Sequence, residues 1–439
     1  MLTLVLALLA TQCAAGDTIW HRRFDGPGGK DDRPTAILTD SRGNVIVAGY
    51  TFTTETDFNM LVLKYDSLGT LLWARTYNSP LNSEDRIWAA CLDPWDNILV
   101  TGGSICDTTH NWDYLTIKYR PDGETAWIRR YDSPHHAEDK PTAIACDDSG
   151  NVYVTGSSRG VNRWWDYLTV KYNAQGDTIW TRRYDGAVRF EDEAKALAVD
   201  RLGNVIVTGR GAGPEHMPEI VTIKYDPAGR QLWTASARGT GRGYNWPCAV
   251  LTDSSGAIFV AGTTSGQGTA YDYCLLKYRP DGREVWRRSY DGPAHSQDIV
   301  NALGRDSSGN VIVTGQSMGL TTFHDFVTIK YYSDGETAWV RRYNDSVDAE
   351  DRAQAAAMDP AGNVYVTGSS VQSRPTESYF TQAYKNDGTQ LFSATYTARS
   401  GGTARALGVA AARWGVVVTG FALNTRGDTD IVTIAYRIP

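Results

Sequence analysis

The sequence predicts an all-β fold, an eight-bladed β-propeller of four-stranded antiparallel blades, on three observations. The first is a repeat: Trp20, Trp73, Trp127, Trp180, Trp233, Trp286, Trp339 and Phe392 occupy one slot at intervals of 53 or 54 residues. A fixed period of that length marks an array of stacked units. The second is that each unit holds four short stretches rich in alternating β-branched and aromatic residues, with no sustained 3.6-residue apolar period. The third is tight-turn chemistry between those stretches. Four antiparallel strands per unit of about 50 residues, repeated radially, make a propeller blade.

One unit serves for all. Its first strand, residues 142–146, is small and apolar and is placed innermost, where blades converge on the axis. Residues 151–155 form the second strand, 167–172 the third and 178–184 the fourth; the last carries the Trp and lies outermost. Asp-x-x-Gly joins the first strand to the second at Asp40, Asp147, Asp200, Asp253, Asp306 and Asp359. Asp at i with Gly at i+3 is type I turn chemistry and needs no metal. A similar turn ending in Gly69, Gly123, Gly176, Gly229, Gly282, Gly335 or Gly388 joins the third strand to the fourth. Closure follows from counting. The repeat begins with an outermost strand, residues 17–24, and ends with a third strand, residues 430–436, so the amino-terminal strand should complete the last blade. That pairing would bury Ile19, Trp20 and Phe24 and remove an open sheet edge. One domain, residues 17–439, results.

Formal charge is −7 with a pI near 5.6 and no basic run, which excludes nucleic acid and anionic membrane surfaces as expected partners. Residues 1–16, MLTLVLALLATQCAAG, read as a secretory signal, with the terminal amine as its positive end. Cys13 offers lipidation as the alternative, against a poor lipobox in Ala10-Thr11-Gln12. No later run is apolar long enough to span a bilayer. A secreted, monomeric protein at the cell exterior is expected. Cys91, Cys106, Cys146, Cys248 and Cys274 occupy different slots and include no CxxC, which suits buried thiols or at most one or two bridges rather than a zinc site.

The text Asp-x-x-Gly-Asn-Val-Tyr-Val-Thr-Gly, then Asp-Tyr-x-Thr-x-Lys-Tyr and Gly-x-x-x-Trp, resembles the bacterial SBBP (beta-propeller) repeat family over residues 17–437. Ala383 and Ala435 replace the Lys in the last two units. The resemblance implies a secreted or cell-surface bacterial protein; the family name implies seven blades, where the count here is eight. Gly-x-x-x-Trp is also similar to the docking motif of eight-bladed quinoproteins, which implies that Trp73, Trp127, Trp180, Trp233, Trp286 and Trp339 pack blade on blade. The adjacent cysteine pair of that catalytic machinery is missing.

Both hairpin turns should emerge on one face and the longer connections on the other, and the variable loop face is the candidate binding surface. An acidic ring stands there: Asp32, Asp85, Asp139, Asp192, Asp298 and Asp351, broken at Asn245 and Gly402. Carboxylates around a channel mouth suit Ca²⁺ or a cationic ligand; alternatively, each Asp caps its own loop or pairs with an outer-strand Arg such as Arg130 or Arg183. Trp112, Trp164, Trp165, Tyr271 and Phe323 are candidates for sugar stacking, against blade-to-blade packing. His110, His135, His136, His216, His295 and His324 fall in loop-face connections, and His135 and His136 beside Glu138 and Asp139 make a candidate divalent-metal site.

Gly156-Ser-Ser-Arg-Gly160 and Gly315-Gln-Ser-Met-Gly319 match G-x-S-x-G but leave a strand for a loop, without the helix a nucleophile elbow needs. The arginine pairs Arg22-Arg23, Arg129-Arg130, Arg182-Arg183, Arg287-Arg288 and Arg341-Arg342 read as solvated edge residues of outer strands. The expectation is therefore a non-catalytic binding or scaffold module with no resident cofactor, acting on an extracellular glycan or protein. The alternatives are a hydrolase or lyase using loop-face carboxylates and His, and a structural envelope component.

Overall fold

The computed structural model describes residues 14–105, 111–134, 136–160, 164–186, 188, 190–213, 216–373, 376–399 and 401–438. Its 32 strands form eight separate four-stranded antiparallel sheets. Blade 1 spans residues 32–77, blade 2 85–131, blade 3 139–184, blade 4 193–237, blade 5 246–290, blade 6 298–343 and blade 7 351–396. Blade 8 joins residues 404–436 to the amino-terminal strand Thr18–Phe24. First strands of successive blades contact one another all the way round, including blade 8 to blade 1, so the ring is closed with those strands innermost. No helix among the described residues is long and apolar enough to cross a membrane.

Closure is a hairpin with its covalent link missing. Thr18–Phe24 runs antiparallel to Thr429–Tyr436, with Trp20 opposite Ala435 and Phe24 opposite Ile431. Within blade 1, the turn between third and fourth strands is fixed by Gly69 N donating to Asp66 O and Asp66 N donating to Thr70 O. Across the chain ends the same two bonds run from Gly16 N to Arg437 O (2.9 Å) and from Arg437 N to Asp17 O (2.9 Å). Residues 14–16, which composition groups with the apolar leader, thus build the missing turn. Trp20 is buried, whereas Ile19 and Phe24 are half-buried.

Blades are fastened through their outer strands. Each Trp indole lies over the turn glycine of the next blade: a Cβ on Gly69 would come within 2.7 Å of the Trp20 ring, and one on Gly16 within 2.9 Å of Phe392. Both glycines have positive φ, so the position excludes a side chain twice over. The indole nitrogens of Trp20, Trp73, Trp127, Trp180, Trp233 and Trp339 donate to carbonyls of that next turn at 3.0–3.1 Å. The paired arginines correct the sequence reading, because one of each pair clamps its blade to the next. Arg22, Arg129, Arg182, Arg288 and Arg341 send Nε to the carbonyl of the next blade's turn glycine. The Lys of the Lys-Tyr pair is also buried in five of the six units that carry it, Lys277 being half-buried. Lys64, Lys118 and Lys224 pair with the turn acids Asp40, Asp93 and Asp200 at 2.8–2.9 Å, so those aspartates do more than shape a turn.

Candidate functional site

The ring aspartates Asp32, Asp85, Asp139, Asp192, Asp298 and Asp351 have no exposed surface, so they do not line an open channel mouth. Each points into the junction with the preceding blade. There one carboxylate oxygen accepts the backbone N–H six residues upstream, from Gly26, Ser79, Ser133, Gly186, Gly292 and Asp345, at 2.6–2.9 Å. Asn245 caps its loop the same way from Gly239 N, and strand register puts Ala404, not Gly402, at the eighth position. Of the two readings for these acids, loop capping is the one this geometry matches.

Burial raises Asp32, Asp85, Asp192 and Asp298 to about 6 and Asp351 to about 7, above an ordinary carboxyl near 3.8. An acid with a raised folded-state pKa stabilises the fold relatively at low pH, and that contribution is lost as pH rises through the folded value. Asp351→Asn, which keeps the accepting oxygen as Asn245 does, should therefore raise stability at pH 8 by about 1–2 kcal/mol, discounted for screening. The gain should fade between pH 7 and 4. Melting curves of both proteins across that range test it, and a pH-independent difference would remove the buried-charge explanation.

Next to the ring acid, most junctions add an Asp from the start of the preceding third strand and one from the loop after the fourth. Asp25, Asp32 and Asp430; Asp113, Asp132 and Asp139; Asp166, Asp185 and Asp192; and Asp272, Asp291 and Asp298 each bring carboxylate oxygens within 4.8 Å of one another. In the first three groups an outer-strand arginine supplies the counter-charge, with Arg23 on Asp430, Arg130 on Asp113 and Arg183 on Asp166. Arg130 and Arg183 thus pair with the third-strand acid rather than the ring acid. Blade 5 departs from this. Its arginine pair is Arg287-Arg288, one place earlier than Arg129-Arg130 relative to Trp, so Ser289 stands opposite Cys274 where Arg130 stands opposite Leu115. Asp272 is left with a 3.1 Å hydrogen bond from Thr269. Burial, and then Asp291, raise its pKa.

The loop-face rim departs from the repeat in the same sector. Flanking the ring acid are ion pairs Arg33–Asp31, Arg86–Glu84, Lys140–Glu138 and Arg352–Glu350. In blade 5 the flanking residues are Tyr244, 54% exposed, and Trp246, and in blade 6 they are Gln297 and Ile299. Trp246 meets Tyr271 at 4.9 Å between ring centroids. A neutral aromatic stretch therefore adjoins Asp272, which no outer-strand arginine meets, and Asp291, which pairs with His295 at 2.5 Å.

The other aromatic candidates do not act together. Trp164 is 39% exposed and packs on Phe190 at 4.8 Å, which in turn meets His216 at 5.3 Å. Trp165, one residue on, is half-buried under Lys140 and Arg159. Trp112 packs on Trp88, and Phe323 is exposed beside a cavity of about 330 Å³ shared with Glu350, Arg352, Glu377 and Arg405. The metal candidates also separate. His136 meets Asp132 at 2.7 Å, Glu138 meets Lys140 at 2.6 Å, and Asp139 turns into the junction. His110 and His135 lie outside the described residues. His324 begins a third strand and is buried, contrary to its expected loop position. Sequence reasoning placed His216 on the loop face but missed Phe190, Tyr244 and Trp246. For the last two the signal was present, as aromatics where other units carry Glu and Arg.

The hairpin face holds larger hollows, of about 710 and 500 Å³, lined by turn residues such as Asp359, Asn363 and Lys385, or Asp40, Asn44 and Lys64. Asp359, Asn363 and Leu391 of the one correspond to Asp40, Asn44 and Leu72 of the other, so these are grooves of the repeat.

Residues 135–162 match the SBBP beta-propeller repeat. No curated protein matches the sequence. Solved structures that are similar include the WD40 domain of SCAP from fission yeast, at 9% identity over 95% of this chain and 98% of that one, with a TM-score of 0.47. A hypothetical selenium-binding protein from Sulfolobus tokodaii is 10% identical over 83% of this chain and 92% of its own, with a TM-score of 0.47. Drosophila Plexin A in complex with Semaphorin 1b gives 11% identity, 97% and 88% coverage and a TM-score of 0.42.

Proposed function

We propose that the chain is a non-catalytic binding module of the cell exterior whose loop face takes a glycan at blade 5. One observation carries this reading: in one sector the loss of the arginine counter-charge coincides with an aromatic rim, so that Tyr244, Trp246 and Tyr271 adjoin Asp272 and Asp291. In a ring of near-identical blades, residues that serve the fold recur, and a site appears where recurrence fails. Aromatic faces suit the apolar face of a sugar ring, and carboxylate oxygens accept its hydroxyls. The ring acids support a binding role over hydrolysis, since each is occupied with its own loop instead of meeting the others at one centre.

Glycan-array binding, followed by titration of the best hit, tests the proposal. Tyr271→Ala and Trp246→Ala are each expected to weaken binding by about tenfold, equivalent to about 1.4 kcal/mol, with melting temperature nearly unchanged. Trp164→Ala should have a smaller effect, confined to longer chains that reach blade 3. Binding unaltered by both blade 5 substitutions, or an array without hits, would overturn the assignment.

A further inference from the structure

We infer that Cys91 and Cys146 form a disulfide that staples blade 2 to blade 3. Their sulfurs lie 3.1 Å apart, although the residues are separated by 55 positions in the chain. Both thiols pack against one interblade cluster with Leu99, Ile144, Val152 and Val154.

Their proximity is a property of the repeat. Cys91 is the penultimate residue of its first strand, opposite Leu99, and Cys146 is the last of its own, opposite Val152. The same two positions meet elsewhere round the ring. Between blades 6 and 7 they are Gly304 and Met358, and a Cβ on Gly304 would lie 3.8 Å from Met358 Cγ. Between blades 1 and 2 they are Leu38 and Leu92, which share one core cluster, and between blades 3 and 4 Ala145 and Val199, which share another. The inner-strand packing of every blade therefore presses these two positions together, and only at the 2/3 junction are both cysteine. The short connection required of a disulfide is met by backbone that the fold sets in any case.

The reaction is exchange with a low-molecular-weight disulfide such as oxidised glutathione. The Cys91 thiolate attacks one of its sulfurs and expels the other as a thiolate. The Cys146 thiolate then attacks Cys91 Sγ and releases the second. Two cysteine thiols are oxidised by two electrons, two glutathione thiols are formed, and the two protons pass to them. In the assembled ring, proton sharing with Cys146 and then burial push the Cys91 thiol up, so exchange belongs to folding, while blades 2 and 3 are still docking.

The test uses the full chain refolded in a glutathione redox buffer, then alkylated under denaturing conditions with and without prior reduction, and mapped by mass spectrometry. The expected result is a linked Cys91–Cys146 peptide pair lighter by two hydrogens, with Cys248 and Cys274 alkylated in both samples. Reduction should lower the melting temperature by about 5 °C or more. Cys91→Ser should melt like the reduced protein and ignore reductant. Free alkylation of both cysteines after oxidative refolding, or a bridge from either one to Cys106, overturns the inference. The reduced native protein supplies the comparison if the variant fails to fold.

Discussion

Deletion of residues 14–24 is expected to leave a chain that cannot close its ring, melting well below the intact protein and aggregating on warming. The strand removed contributes a whole ladder of backbone bonds to Thr429–Tyr436 and buries Trp20 against blade 1 residues Leu63 and Tyr65. Trp-to-Ala changes in cores cost about 3–5 kcal/mol, and the deletion removes the neighbouring half-buried side chains as well. It also bares Ile431, Val432 and Ile434 on an edge strand, the arrangement that promotes pairing between molecules. Differential scanning calorimetry with light scattering measures both effects. A synthetic peptide of residues 14–25 supplied in trans should restore much of the lost midpoint, because the break it fills is already a gap between chain ends. An unchanged melting temperature would mean that the ring is held shut by something other than this strand.

Closure, blade number and turn placement were legible because each rests on local pattern. Asp and Gly fix turns within four residues, Trp marks one strand per unit, and counting strands leaves one place for the first of them. The direction of the ring acids was not legible. Every complete first strand carries a register shift two residues after that position, as between Pro141 and Ala143, so side-chain alternation read from the apolar residues cannot be carried back to Asp139. The arginine pairs failed for a smaller reason. Arg287-Arg288 looks like Arg129-Arg130 until the pair is aligned on the Trp, and the one-place offset decides whether Asp272 receives a counter-charge. Trp164 and Phe190 are brought together by loops of successive connections, which no spacing rule connects.

Replacing Lys224 with Met should destabilise the ring by about 3–5 kcal/mol, the largest effect expected of a single charge in the molecule. Lys224 and Asp200 are both buried, 2.9 Å apart, with Asp200 also accepting from the Asn204 side chain and from Leu202 N. Burial alone would raise the Asp200 pKa, but Asn204 and Lys224 hold it below the ordinary value. An acid whose folded-state pKa is depressed adds stability above its unfolded value and loses it as pH falls through the folded one. In the variant the cation is gone and burial dominates, so Asp200 should titrate high and its penalty should ease on acidification. The gap between the two proteins should then be widest near pH 7 and narrow towards pH 4, as read from denaturant unfolding across that range. The double variant Lys224→Met, Asp200→Asn should recover most of the loss at pH 7, since it leaves no uncompensated charge. Blade 8 already embodies that solution: Ala435 takes the place of the Lys and Ala412 that of the Asp. A gap that stays constant with pH, or a double variant as weak as the single, would assign the effect to packing of the Lys side chain and not to its charge.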